Sequence, residues 1–127
     1  MTPEVEQAIA EIKATFPEHE ITVEAEAQGG ANVMVHNLSI GQQYAPEISW
    51  VGFQIGFQYP HADVYPHFIE GVVKRADGQG FGTGLSGPID WQGRSVIQVS
   101  RRSGRWNPAS DTAATKLAKV LLWLRSQ

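Results

Sequence analysis

The sequence predicts an α+β fold: an N-terminal helix, a four-stranded antiparallel meander, a long loop and a short strand, and a C-terminal helix packed on the same sheet face as the first. Two observations carry this. Apolar residues recur at helical spacing at both ends, as Val5, Ile9, Ile12 and Phe16 and again as Ala113, Leu117, Val120, Leu121 and Leu124. Between them the pattern changes to strand-like alternation interrupted by glycine and proline. A helix with one apolar stripe must bury it against something, and here the alternating segments supply the face.

The elements follow in order. Thr2 is a capping hydroxyl and Pro3 suits the first helical position, so the first helix is expected over residues 3–16, with Glu4 and Glu6 at its positive end and Pro17 as the stop. Residues 20–27 alternate, with Ile21, Val23, Ala25 and Ala27 on one side and acidic residues on the other. Gln28-Gly29-Gly30 turns the chain into a second strand over 31–40, and a loop over 41–46 leads to a third over 47–59. Two Tyr-Pro pairs, Tyr59-Pro60 and Tyr65-Pro66, then force an extended crossing that cannot continue a ladder. A fourth strand is expected over 69–75. Residues 77–93 hold six glycines and read as a long surface loop. A short strand over 95–99 precedes a polar crossing and a helix over 111–124, capped by Ser110 or Asp111. Trp106 is expected to be largely buried, wedging that crossing against the helix with Pro108 at the turn.

The 127 residues suffice for one domain, expected over 1–127. A net charge of -3 gives no bulk argument for a nucleic-acid partner. The absence of cysteine excludes disulfides, thiolate metal ligands and thiol catalysis. No apolar run reaches membrane-spanning length and no signal pattern opens the chain, so a cytoplasmic protein without a membrane partner is expected. His61, Asp63 and His67 lie close together, but zinc needs three or four converging ligands and His36 would have to arrive from another strand. These residues read as structural, and neither metal nor cofactor is expected. Gly78-Gln79-Gly80-Phe81-Gly82 lacks the following helix that a phosphate-cradling loop requires.

The most informative stretch joins the last strand to the last helix. Trp106-Asn107-Pro108-Ala109, leading into Lys116-Leu117-Ala118-Lys119-Val120-Leu121-Leu122, resembles the Trp-Ser-Pro-Ala segment and the Lys-Val-Leu-Leu helix of ubiquitin-conjugating enzymes. Tyr59-Pro60 and Tyr65-Pro66 resemble that family's Phe-Pro-x-x-Tyr-Pro crossing, with two extra residues between the pairs. The resemblance spans nearly the whole chain. It implies a bacterial relative that works beside an activating enzyme and a ubiquitin-like protein. The departures lie at the reacting centre. Counting back from Trp106, the family's cysteine position holds Gln98, and the position of its oxyanion-stabilising asparagine holds Asp90. Ile69-Glu70 stands where a further proline pair is expected.

Two functions fit this pattern. In the first, the protein passes on a ubiquitin-like C-terminus through a hydroxyl, as an oxyester. Ser100 is then the first candidate nucleophile and Ser103 the second. Asp90 is the candidate base, with His67 as a further base or orienter. Arg102 is an oxyanion donor, and Arg101, Arg105 and Tyr65 contact the partner. In the second, the chain is a non-catalytic scaffold that binds the activating enzyme or the ubiquitin-like protein. A small metal-dependent hydrolase is a more distant alternative.

Overall fold

The computed structural model describes residues 1–127. Helix α1, Pro3–Thr15, begins where the capping signal puts it: the Thr2 hydroxyl accepts the Val5 N–H at 3.1 Å and Pro3 opens the helix. Strands β1 (Ile21–Ala25), β2 (Ala31–Ser39), β3 (Tyr44–Ala45), β4 (Ile48–Ile55), β5 (His67–Glu70), β6 (Lys74–Arg75), β7 (Leu85–Trp91) and β8 (Arg94–Val99) follow, and helix α2, Ala113–Ser126, ends the chain. One six-stranded sheet runs β1-β2-β4-β5-β8-β7, and β3 pairs with β6 in a separate ribbon. Every pairing is antiparallel.

Both helices lie on one face of that sheet. Val5, Ala8, Ile9 and Ile12 of α1 and Leu117, Val120, Leu121 and Leu124 of α2 share a single buried cluster with Val33, Val35, Val51, Phe53, Ile55, Ile69, Ile97 and Val99. Those strand residues have one parity, as a pleated face requires. The alternate residues Met34, Phe68 and Val96 are buried on the opposite face. There Trp91 stacks on Phe68, with ring centres 4.6 Å apart. Gly52 allows this, because a Cβ at that position would come within 2.6 Å of the Trp91 ring.

Helix α2 is pinned at both ends by tyrosines. The Ala113 N–H donates to the Tyr59 hydroxyl at 3.1 Å, and the Tyr44 hydroxyl donates to the Leu124 carbonyl at 2.9 Å. These bonds satisfy terminal groups that the helix itself cannot. The cap is Thr112, in a reciprocal box with Thr115, and not Ser110 or Asp111. Asp111 instead accepts the Asn107 N–H at 2.7 Å and closes the Trp-Asn-Pro turn.

Two expectations about the sheet are corrected. The four-strand meander is part of a six-stranded sheet, because half of the glycine-rich segment forms β7 and pairs with β8. The expected fourth strand divides: β5 joins the main sheet, while β6 turns away to pair with β3. Gly71 lies at the division, where a Cβ would run into the Ser95 hydroxyl and backbone.

Candidate functional site

Two polar crossings meet at the end of the sheet and are laced together. One joins β4 to β5 through the Tyr-Pro pairs; the other joins β8 to α2. The Trp106 indole N–H donates to the Pro60 carbonyl at 2.7 Å, and its ring lies against Tyr59. The Ser103 N–H donates to Asp63 at 2.8 Å. The Arg102 guanidinium lies over the Tyr65 ring, 4.1 Å from its centre. Each tie joins residues about 40 apart in sequence, so the crossings hold each other in place.

Trp106 is half-buried and not largely buried as expected. Its indole N–H bond and its packing on the core still make it the main apolar tie. Trp106→Ala is therefore expected to cost about 3 kcal/mol, at the lower end for removing a large aromatic. An unchanged thermal midpoint would remove the anchoring role.

At the centre of the lacing, Lys116 reaches from the first turn of α2. Its Nζ lies 3.0 Å from both Asp63 carboxylate oxygens and 2.7 Å from Ser103 Oγ. Ser103 Oγ in turn lies 3.2 Å from Asp63 Oδ1. Lys116 is only 4% exposed and the Asp63 side chain 20%. A cation buried this deeply needs a partner, and Asp63 is that partner. Burial pushes the Asp63 carboxyl up, but the Ser103 N–H, the Lys116 ammonium and the Ser103 hydroxyl together outweigh it and leave it below its ordinary range.

His67 lies within electrostatic range of this trio. It is fully buried, packs on Phe53 at 5.1 Å, and neither ring nitrogen has a hydrogen-bond partner. Its pKa is pushed down to about 3, first by burial and then by the Lys116 charge, with Asp63 opposing. The ring is therefore neutral at physiological pH.

The other candidate residues are distributed as follows. Ser100 Oγ accepts from the Gln98 side chain at 3.0 Å, and its N–H donates to the Gly84 carbonyl at 2.8 Å. No charged group bonds to it. Gln98 itself sits within the β8 ladder, opposite Phe68 on one side and Ser86 on the other. Asp90 is exposed and pairs with Ser95 at the far end of β8, five positions from Ser100. At the rise of an extended strand that is about 16 Å. The register therefore does not bring Asp90 and Ser100 together. Arg101 stacks on Trp123, 4.9 Å from a ring centre, and Arg105 is exposed. Arg101, Arg102, Ser103, Arg105, Lys119 and Trp123 line a cleft of about 290 Å³.

No group of three or more His, Asp or Glu side chains converges as a metal site would require. Asp63 is committed to Lys116 and Ser103, and His36 bonds the Thr22 hydroxyl.

Sequence reasoning missed Lys116 as a site residue and read Asp63 only as a possible metal ligand. Lys116 did carry a signal: it falls inside the apolar stripe of its helix, beside Ala113, Leu117 and Val120, where a lysine has no apolar reason to be. No helix of the chain is long and apolar enough to cross a membrane.

No curated protein and no solved structure matches the chain. The family described as prokaryotic E2 family E matches it over residues 12–127, from within α1 through both crossings to the end of α2. The antiparallel sheet, the Tyr-Pro crossing, the Trp-Asn-Pro turn and helix α2 all lie within that match, and the chain belongs to prokaryotic E2 family E.

Proposed function

We propose that the protein carries a ubiquitin-like protein as an oxyester and that Ser103 is the hydroxyl that holds it. Family membership makes the chain a component of a ubiquitin-like conjugation pathway. The oxyester and the residue are our reading of the site. The observation that carries it is the placement of Ser103 Oγ between an ammonium and a carboxylate, 2.7 Å from Lys116 Nζ and 3.2 Å from Asp63 Oδ1. A serine hydroxyl needs such company to react at neutral pH. Ser100, nearer the family's cysteine position, has only an amide beside it.

In this scheme the activating enzyme presents the C-terminal glycine of the ubiquitin-like protein as an ester or thioester. Ser103 Oγ attacks its carbonyl carbon. The Oγ–C bond forms, the bond to the activating enzyme breaks, and the Ser103 proton passes through Asp63 to the leaving oxygen or sulfur. Asp63 is a weak base, because its carboxyl is held below the ordinary range. Proton transfer therefore comes late, once the forming bond has made the hydroxyl acidic. Lys116 Nζ lies 2.7 Å from the attacking Oγ. In this scheme the ammonium turns to the acyl oxygen as the carbon becomes tetrahedral, and a well-placed donor of this kind is worth about 3 kcal/mol of barrier. Arg101, Arg102 and Arg105 border the same cleft and receive the partner, with Tyr65 beneath the Arg102 guanidinium.

The scaffold reading draws on the same trio. An Asp63–Lys116 pair bonded to Ser103 also ties the crossings together, and a binding protein needs no more than that. Incubation with the cognate activating enzyme, ubiquitin-like protein and ATP separates the two. The expected product is a covalent adduct that survives thiol reductant and is released by mild base. Ser103→Ala should reduce it to background, while Ser100→Ala should retain it. Absence of an adduct with a competent activating enzyme would favour the scaffold, and loss only in Ser100→Ala would move the nucleophile there.

A further inference from the structure

We infer that the cleft beside Ser103 receives an acidic peptide, namely the last residues before the C-terminal glycine of the carried ubiquitin-like protein. The inference rests on the transfer reading for the identity of the peptide, and on the charge of the cleft for its chemistry.

The chain carries 13 acidic and 10 basic residues, so its arginines have carboxylates to choose from. Arg101, Arg102 and Arg105 nevertheless form no ion pair. The three pairs present are Arg75–Asp77, Lys116–Asp63 and Lys119–Asp111. Asp111, the one acid at the cleft, already faces Lys119 at 3.8 Å and the Asn107 N–H at 2.7 Å. A chain of net charge -3 thus concentrates unmatched positive charge around one hydroxyl.

The guanidiniums are also held in position. Arg102 lies over Tyr65 and Arg101 over Trp123. Trp123 is braced from behind by Gly84, which has φ +97° and where a Cβ would come within 2.8 Å of the indole. Stacking orients the planar fork before a ligand arrives, so less side-chain freedom is lost on binding. The same stacking disfavours nucleic acid, since the aromatic faces on which bases would stack are already occupied.

The charge must reside on side chains of the tail. Once the terminal carboxyl is esterified to Ser103 it is neutral, and the arginines would have nothing to match. Ser103 lines the same cleft as Arg101, Arg102 and Arg105. A tail leaving Oγ at about 3.3 Å per residue passes these guanidiniums within its last few residues. Carboxylates there would meet them in paired, charge-assisted bonds.

The test is a binding titration followed by fluorescence anisotropy and by amide shifts. The probe is a short synthetic peptide ending in an amidated Gly-Gly, with Asp and Glu at the preceding positions. A matched peptide carries Asn and Gln instead. The acidic peptide should bind at least about tenfold more tightly at low ionic strength, and the difference should shrink in about 0.5 M salt. Arg101→Ala, Arg102→Ala and Arg105→Ala combined should abolish the preference in a variant that stays folded at the titration temperature, as its amide spectrum reports, even where the lost Arg102–Tyr65 stack lowers the thermal midpoint. Equal binding of the two peptides, a preference that survives the triple substitution, or tighter binding of a single-stranded oligonucleotide at the same arginines would overturn the assignment. The amidated peptide cannot be activated, so this result is independent of ester chemistry. A retained preference with no adduct in the transfer assay rejects the transfer reading alone, and an adduct without the preference rejects the acidic tail alone.

Discussion

Lowering the pH from 7 toward 3 is expected to remove about 5 kcal/mol of stability through one side chain, His67. The ring is fully buried, and its pKa falls from 6.5 to about 3. Between those values the unfolded chain binds a proton that the folded chain refuses. Stability from this group is therefore complete above pH 6.5 and is lost as the pH falls toward 3. Each pH unit in that window costs about 1.4 kcal/mol, so roughly 3 kcal/mol is gone by pH 4.5. That is a large share of the stability of a domain this size. Asp63 acts only at the bottom of the range: its carboxyl is lowered, so its contribution is present above 3.8 and is lost as the pH falls through its folded value. Urea titrations at about pH 7.5, 6 and 4.5 on the native chain and on His67→Leu measure the effect. The variant should keep its stability at neutral pH, because neither ring nitrogen makes a hydrogen bond that the leucine would break. It should also lose most of the slope between pH 6.5 and 4.5. An equally steep slope in His67→Leu would assign the acid sensitivity to other groups.

The helices and the first three long strands were legible because their signals are local. Thr2-Pro3 caps α1 within four residues, and Ile21, Val23 and Ala25 alternate without interruption. The strand β7 was not legible, for physical reasons. It is an edge strand, mostly exposed along its length, and Gly87-Pro88 interrupts it, so it shows neither alternation nor an apolar run. Its pairing with β8 is irregular between Ser86 and Ile89, at the same Gly-Pro step.

The candidate site divides in the same way. Its frame was readable, because Tyr59-Pro60, Tyr65-Pro66 and Trp106-Asn107-Pro108 impose backbone conformation locally. Its central contact was not. Asp63 and Lys116 are 53 residues apart and meet only because Tyr59 holds the N-terminus of α2 and Trp106 holds the crossing. Ser100 is the nearest hydroxyl downstream of the family's cysteine position, but distance along the chain says nothing of the neighbours a hydroxyl meets in space, and those decide its activation. The Lys within the apolar stripe of α2 was the available clue, since a buried ammonium implies a buried acceptor.

That pair supports the second large prediction. Asp63→Ala removes the counter-charge of an ammonium that is 4% exposed and also frees the Ser103 N–H, so it is expected to cost about 3–5 kcal/mol. Lys116→Met should cost less. Asp63 keeps its two bonds from Ser103 and is 20% exposed, so its charge retains some hydration. Combining Asp63→Ala with Lys116→Met strands no charge, and the methionine keeps much of the apolar stem. The double variant should therefore be more stable than Asp63→Ala alone, by about 2 kcal/mol or more. Denaturant midpoints across this cycle measure the coupling, and additive losses would show that the two groups do not depend on each other. The same cycle separates structure from chemistry. If Ser103 is acylated with help from Asp63 and Lys116, the double variant folds yet forms the oxyester at least about a hundredfold more slowly. If the trio only ties the crossings, restoring stability restores function. A stable double variant that forms the adduct at the native rate would confine Asp63 and Lys116 to holding the fold.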